Sequence, residues 1–267
     1  MNSWQLYWRY ILISIKAQMQ YRISFILSAI AQLVGTGIEV AGIWALFTRF
    51  GSLENWSLAE VCLFYGVVNI TFSFADALST GFDVFGPRYV RTGNFDRLLL
   101  RPRTTVLQLL GHELALRRVG RLIQGAVVFT WACMELQLQW TLGDLGLLLF
   151  AVGGGVAMFF GLIVIQATLS FWTVESLEVM NTMTYGGVQT AQYPLDIYQP
   201  WFRKFFTYIV PLACVSYFPI VNILHVSDPL GSPVWLQLSS PAAGVVFLLL
   251  SLALFQFGVK HYTSTGN

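Results

Sequence analysis

The stretch LGLLLFAVGGGVAMFFGLIVIQATLSFW, residues 145–172, runs for twenty-eight positions without a charged side chain. About 20 mostly apolar residues suffice for a helix to cross the hydrocarbon core of a bilayer. The run therefore points to an all-α integral membrane protein, and the composition agrees. Over 267 residues only 10% are charged, 56% are hydrophobic, and the mean hydropathy is +0.64. A soluble domain carries about 25% charged residues. The net charge of +2 and the lack of a continuous basic face argue against nucleic-acid binding.

Working outward, comparable apolar runs occur at about 23–47, 58–80 and 242–259. Another, at about 119–136, begins with Arg121 and Gln124, whose long side chains are expected to reach the interface. Between 173 and 224 two readings stand. In the first, the rather polar 173–194 crosses, and an apolar piece at about 200–224, broken by Pro211 and Pro219, dips in as a re-entrant hairpin. In the second, the apolar piece crosses. Both give a polytopic protein of six transmembrane helices in one permease-sized domain, 1–267. Residues 1–21 place Trp4, Tyr7, Trp8, Ile11 and Ile15 at helical spacing beside Arg9 and Lys16, as expected of an interfacial helix. No cleavable signal peptide is expected.

Lys and Arg favour cytoplasmic loops, and eight of the fifteen lie between Arg88 and Arg121. With Arg9, Lys16 and Arg22 before the first run and Lys260 after the last, both termini are expected in the cytoplasm. Arg203 and Lys204 fit that rule only in the second reading.

The basic segment contains TGNFDRLLLRP, residues 92–102. Gly93 allows a left-handed turn, Asn94 is suited to cap a helix, Asp96 suits its first turn, and Pro102 ends it. A helix of about two turns would place Phe95, Leu98 and Leu99 on one face and Arg97 and Arg101 on another. Such a two-faced knob can rest on anionic headgroups or set its apolar face in a groove of a soluble partner.

Four stretches carry a family resemblance: SLENWSLAEVCLFYG from Ser52, RTGNFDRLLLRPRTTVLQLLG from Arg91, SFWTVES from Ser170, and AQYPLDIYQPWFRKFFTYIVPLACVSYFP from Ala191. Together they resemble permease subunits of the type-2 ABC exporter family, specifically six-span permeases that occur with a related second permease and one ATPase. The resemblance implies that Asn94, Phe95, Asp96, Arg97, Leu98, Leu99 and Leu100 form a cytoplasmic coupling helix in contact with the ATPase subunit. It also implies two ATPase copies that bind ATP and Mg, a second permease like or unlike this one, a bacterial inner-membrane location, and a substrate path at the permease interface. It favours the first reading of 173–224, with YPLDIYQPW as an outer segment.

Chemistry of its own is not expected in this chain. GxxxxGK[ST] is absent, so ATP phosphates have no P-loop. HELAL at His112 has Leu116 where a zincin helix needs its second histidine. Cys62, Cys133 and Cys214 show no paired spacing, and His225 is expected in a loop. No catalytic, cofactor or metal site is expected. Ionisable groups inside spans cost about 2.5–3.5 kcal/mol at a helix centre and mark interior contacts. Glu39 and Asp76 are the clearest, too far apart in depth to pair, with a basic loop residue the natural partner of Asp76. Glu175, Glu178 and Gln189, with Asn181 and Gln192, would face a translocation path or the other subunit if 173–194 spans. Gly153, Ala157 and Gly161 form a small-residue stripe for close helix contact, within the chain or across a dimer. The alternative function is an ATP-independent channel or secondary transporter; a membrane-embedded enzyme is disfavoured.

Overall fold

Two helix starts are written by capping boxes. Ser57 and Glu60 exchange side-chain and backbone hydrogen bonds (Ser57 N to Glu60 Oε2, 2.8 Å; Glu60 N to Ser57 Oγ, 3.3 Å), and Thr141 and Asp144 do the same (3.0 and 3.1 Å). From these starts run α3 (Leu58–Asp83) and α7 (Leu142–Leu169). A computed structural model describes residues 3–111, 118–173 and 177–263, without the side chains of 3–8 and 177–181. The expectations at His112 and Glu175 lie outside the described residues, and those at Trp4, Tyr7, Trp8, Glu178 and Asn181 concern side chains outside the description.

The described chain is all-α, with an isolated bridge between Leu53 and Trp56 and no strand. Before α3 come α1 (Ser3–Gln20) and α2 (Arg22–Phe50). After it come α4 (Phe95–Leu99), α5 (Thr105–Leu110) and α6 (Val119–Glu135). Following α7 are α8 (Leu177–Ala191), the short α9 to α12 (Pro200–Lys204, Leu212–Val215, Tyr217–Ile223, Val234–Ser239) and α13 (Ala242–Lys260). Four helices are long and apolar enough to cross a membrane, namely α2, α3 with its extension to Val90, α7 and α13. A bent pair, Pro200–Ile209 and Leu212–Ile223, makes a fifth if taken as one span.

Contacts fix the directions. Gly155 abuts Thr71 while Phe85 packs on Phe171, so α3 and α7 run parallel. Gly154 meets Pro241 and Gly258 meets Phe171, so α13 runs parallel to both. Their starts define a Trp56 end of the bundle and their finishes the opposite end, which carries the basic segment. At the Trp56 end the indole of Trp56 donates to Asp196 at 3.0 Å, and His225 lies 3.8 Å from Asp144.

The segment from Asp196 to His225 therefore begins and finishes at the same end. It turns through 71° at Pro211, which has no N–H to continue the π-turn Phe205–Ile209. Residues 210–221 are all buried, as irregular backbone at membrane depth must be. Tyr217 Oη donates to Asp228 Oδ1 at 2.7 Å, and the amides of Leu230 and Ser232 also bond this carboxylate. Burial raises the Asp228 pKa, but these bonds outweigh it and hold the group below the usual carboxylate value. Arg203 and Lys204 lie on α9, where Arg203 donates to the Tyr198 carbonyl, towards the Trp56 end and away from the basic segment.

The small-residue stripe divides. Gly161 lies against Phe247 and Ser251, whereas a Cβ at Gly153 would meet nothing within 4 Å. The close α7–α13 approach instead uses Gly154 and Gly244, where a Cβ on either would strike the backbone of the other helix or its flank. Gly244→Leu should therefore overpack the pair by roughly 1–3 kcal/mol and lower the melting temperature of detergent-solubilised protein. Gly153→Leu should leave it unchanged; equal losses would contradict this packing.

Candidate functional site

Past α3 the backbone widens into a π-turn at Gly86–Val90, and Gly93 takes the left-handed conformation its sequence allows (φ 68°). Asn94 does not cap the helix α4. It is itself helical, and its Nδ2 donates back to Thr92 Oγ1 (2.7 Å) and the Arg88 carbonyl (3.4 Å), cinching the turn. The helix is five residues long, shorter than two turns. Gln108 Nε2 on α5 donates to the carbonyls of Leu98 (3.1 Å) and Arg103 (3.0 Å), locking the two short helices together.

The orientation of α4 corrects the sequence expectation. Phe95 is fully buried and Leu98 is 5% exposed, both turned into the chain's own core. The Phe95 ring meets Phe85, Phe171 and Tyr262 at centroid distances of 5.1, 5.4 and 4.9 Å. These partners come from the ends of α3 and α7 and from just past α13. A groove on another protein cannot receive a side chain already enclosed here. What remains outward is Leu99 at 44% and Leu100 at 85% exposure, with Arg97 and Arg101 together on another side and Asp96 half-buried.

Two polar knots lie deeper. Asp76 pairs with Arg118 at 2.8 Å, their side chains 4% and 16% exposed. The partner thus comes from the basic segment, as its chemistry requires. The second knot joins α2, α3 and α6: Gln124 Nε2 donates to the Thr36 carbonyl (2.9 Å) and to Tyr65 Oη (3.0 Å). Tyr65 Oη lies 3.2 Å from both the Thr36 carbonyl and Glu39 Oε2, with one proton to give. Gln124 is therefore an interhelical tie and does not reach for the interface. Arg121 also stays inside, its guanidinium 5.1 Å from the centre of the Phe72 ring. Glu39 and Asp76 belong to separate knots. Gln189 is exposed on α8.

Sequence reasoning missed Tyr65 and Thr36. A tyrosine in mid-helix, whose hydroxyl must find a partner when buried, was the available signal. Among the described residues no cluster of three or more metal-ligating side chains occurs.

Removing one member of a buried ion pair leaves the other uncompensated, at about 3–5 kcal/mol. Arg118→Ala should therefore destabilise the solubilised protein markedly, and Arg118→Gln with Asp76→Asn should recover much of the loss. Additive losses in the double-mutant cycle would show that the pair does not couple.

A family model described as ABC-2 family transporter protein matches residues 33–266. No curated protein and no solved structure matches the chain.

Proposed function

The chain belongs to the ABC-2 transporter family, and from that membership we propose that it is the permease subunit of an ATP-driven exporter. It works with a separate ATPase, present in two copies that bind ATP and Mg, and with a second permease like or unlike itself. It resides in a bacterial inner membrane. The chain itself is a transporter component and supplies no catalytic group.

Six crossings follow if α6 and α8 join the four long helices and 195–225 is taken as re-entrant, since α8 leads from the basic end back to the Trp56 end. The concentration of arginine at the knob end supports a cytoplasmic setting for that end, for α1 and for the finish of α13. The exposed Gln189, and the half-buried Glu39 at the edge of its knot, would line a path at the interface between permeases. The Asp76–Arg118 pair is closed on itself and is structural in this reading.

One observation carries the proposal: two adjacent leucines, Leu99 at the end of α4 and Leu100 just past it, stand exposed while the helix's other face is anchored in aromatic rings. A rigid apolar tip among basic residues suits a groove on a soluble ATPase. Phe95 and Leu98 hold the coupling helix in place; Leu99 and Leu100 make the contact, with Asn94 and Asp96 shaping the turn. Motion of the ATPase subunits would reach α3, α7 and α13 directly through Phe95.

Affinity purification in mild detergent should bring down a P-loop ATPase with the wild-type chain. Leu99→Asp with Leu100→Asp should lower its recovery more than tenfold while the chain stays monodisperse. Recovery unchanged in that variant, or no ATPase with the wild type, would overturn the proposal.

A further inference from the structure

At the knob end three recesses adjoin, each sharing lining residues with the next. The first, about 440 Å³, is walled by Arg88, Arg97 and Arg101. The second, about 610 Å³, shares Tyr10, Arg88 and Gly111 with it and is lined also by Ser14, Ser24 and Ser28. The third, about 870 Å³, shares Tyr21, Ser24 and Ser28 with the second and continues along α2 past Ile23, Leu27 and Ala31, with Arg22 at its rim. Among the described residues no carboxylate lines any of the three.

The trough is therefore graded from cationic through hydroxylic to apolar. Its walls are built in. The Arg88 carbonyl accepts from Thr92 Oγ1 at 2.6 Å, fixing the π-turn under that arginine. Arg97 on α4 and Arg101 just past its end flank the backbone that the Gln108 bridge holds at Leu98 and Arg103. Gly111 has no Cβ because one would fall 2.5 Å from the Tyr10 ring, so α1 can close over the recess.

We propose that this trough binds one anionic phospholipid: its phosphate among Arg88, Arg97 and Arg101, its glycerol and ester level against the serines, and one acyl chain along Ile23, Leu27 and Ala31. A free phosphate ion would use the first recess and leave the graded remainder without purpose. An acidic protein segment would not enter the apolar crevice beside a membrane-spanning helix. The site stands apart from the ATPase contact, since Leu99 and Leu100 do not line it. The bound lipid would tie α1 and α2 to the knob, making the set of the coupling helix depend on anionic lipid.

The test is native mass spectrometry of the full chain in mild detergent, titrated with phosphatidylglycerol or with phosphatidylcholine of the same acyl length. Phosphatidylglycerol should be retained at least tenfold more tightly. Arg88→Gln, Arg97→Gln and Arg101→Gln should each weaken it about fivefold and together about a hundredfold, whereas the three Lys substitutions should keep most of the affinity. Ser28→Trp, which fills the acyl crevice, should weaken phosphatidylglycerol binding as well. Equal retention of the two lipids would overturn the proposal. So would displacement of phosphatidylglycerol by millimolar inorganic phosphate with Ser28→Trp having no effect, which would mark a free-anion site. All three arginines are exposed; should the triple Gln variant nonetheless fail to fold, the lipid comparison on the wild type and the Arg101→Gln variant decide.

Discussion

The ring of Phe95 is the point through which α4 is joined to the membrane bundle. It is enclosed edge-on by Phe85 and Tyr262 and by Phe171, and Phe85, Phe171 and Phe255 in turn pack on one another. Aromatic pairs of this geometry contribute about 0.5–1.5 kcal/mol each beyond the area they bury. The cluster gathers the finishing ends of three parallel helices onto one short helix. A load applied to α4 is therefore delivered to α3, α7 and α13 together, without a flexible linker between.

Elsewhere the bundle is held by what lipid cannot supply. Apolar helix faces gain little from meeting one another inside a bilayer, so close backbone contact and hydrogen bonds set the arrangement. The glycines of α7 and α13 provide the first. The Thr36, Tyr65 and Gln124 knot provides the second for α2, where among the described side chains only Thr36, Ile43 and Phe47 are buried. Much of α2 is left uncovered by the rest of the chain, including Ile26, Ile30, Val34 and Ile38.

The long helices were legible in sequence because their length and scarcity of charge admit one solution. The break at Pro211 was legible from its proline, and the run 210–221 around it is buried between two attachments at the Trp56 end. The partner of Asp76 could be named by type, since a buried carboxylate needs a cation and the basic segment held the supply. The facing of α4 was not legible. A short amphipathic helix has two faces, and which one is dry depends on Phe171 and Tyr262, far along the chain. Gln124 misled for a related reason: a polar residue near a helix start is as able to bond a neighbouring helix as to reach water. Asn94, suited to a cap, was drawn instead to Thr92 and Arg88.

The central claim is that the outward tip of the knob, and not its buried ring, meets an ATPase. A photoreactive phenylalanine analogue placed at Leu100 or at Phe95 and irradiated in intact cells tests this most directly. The account predicts a covalent adduct containing a P-loop ATPase from position 100 and none from position 95. An adduct from position 95, or only lipid adducts from position 100 while the ATPase still co-purifies, would contradict it.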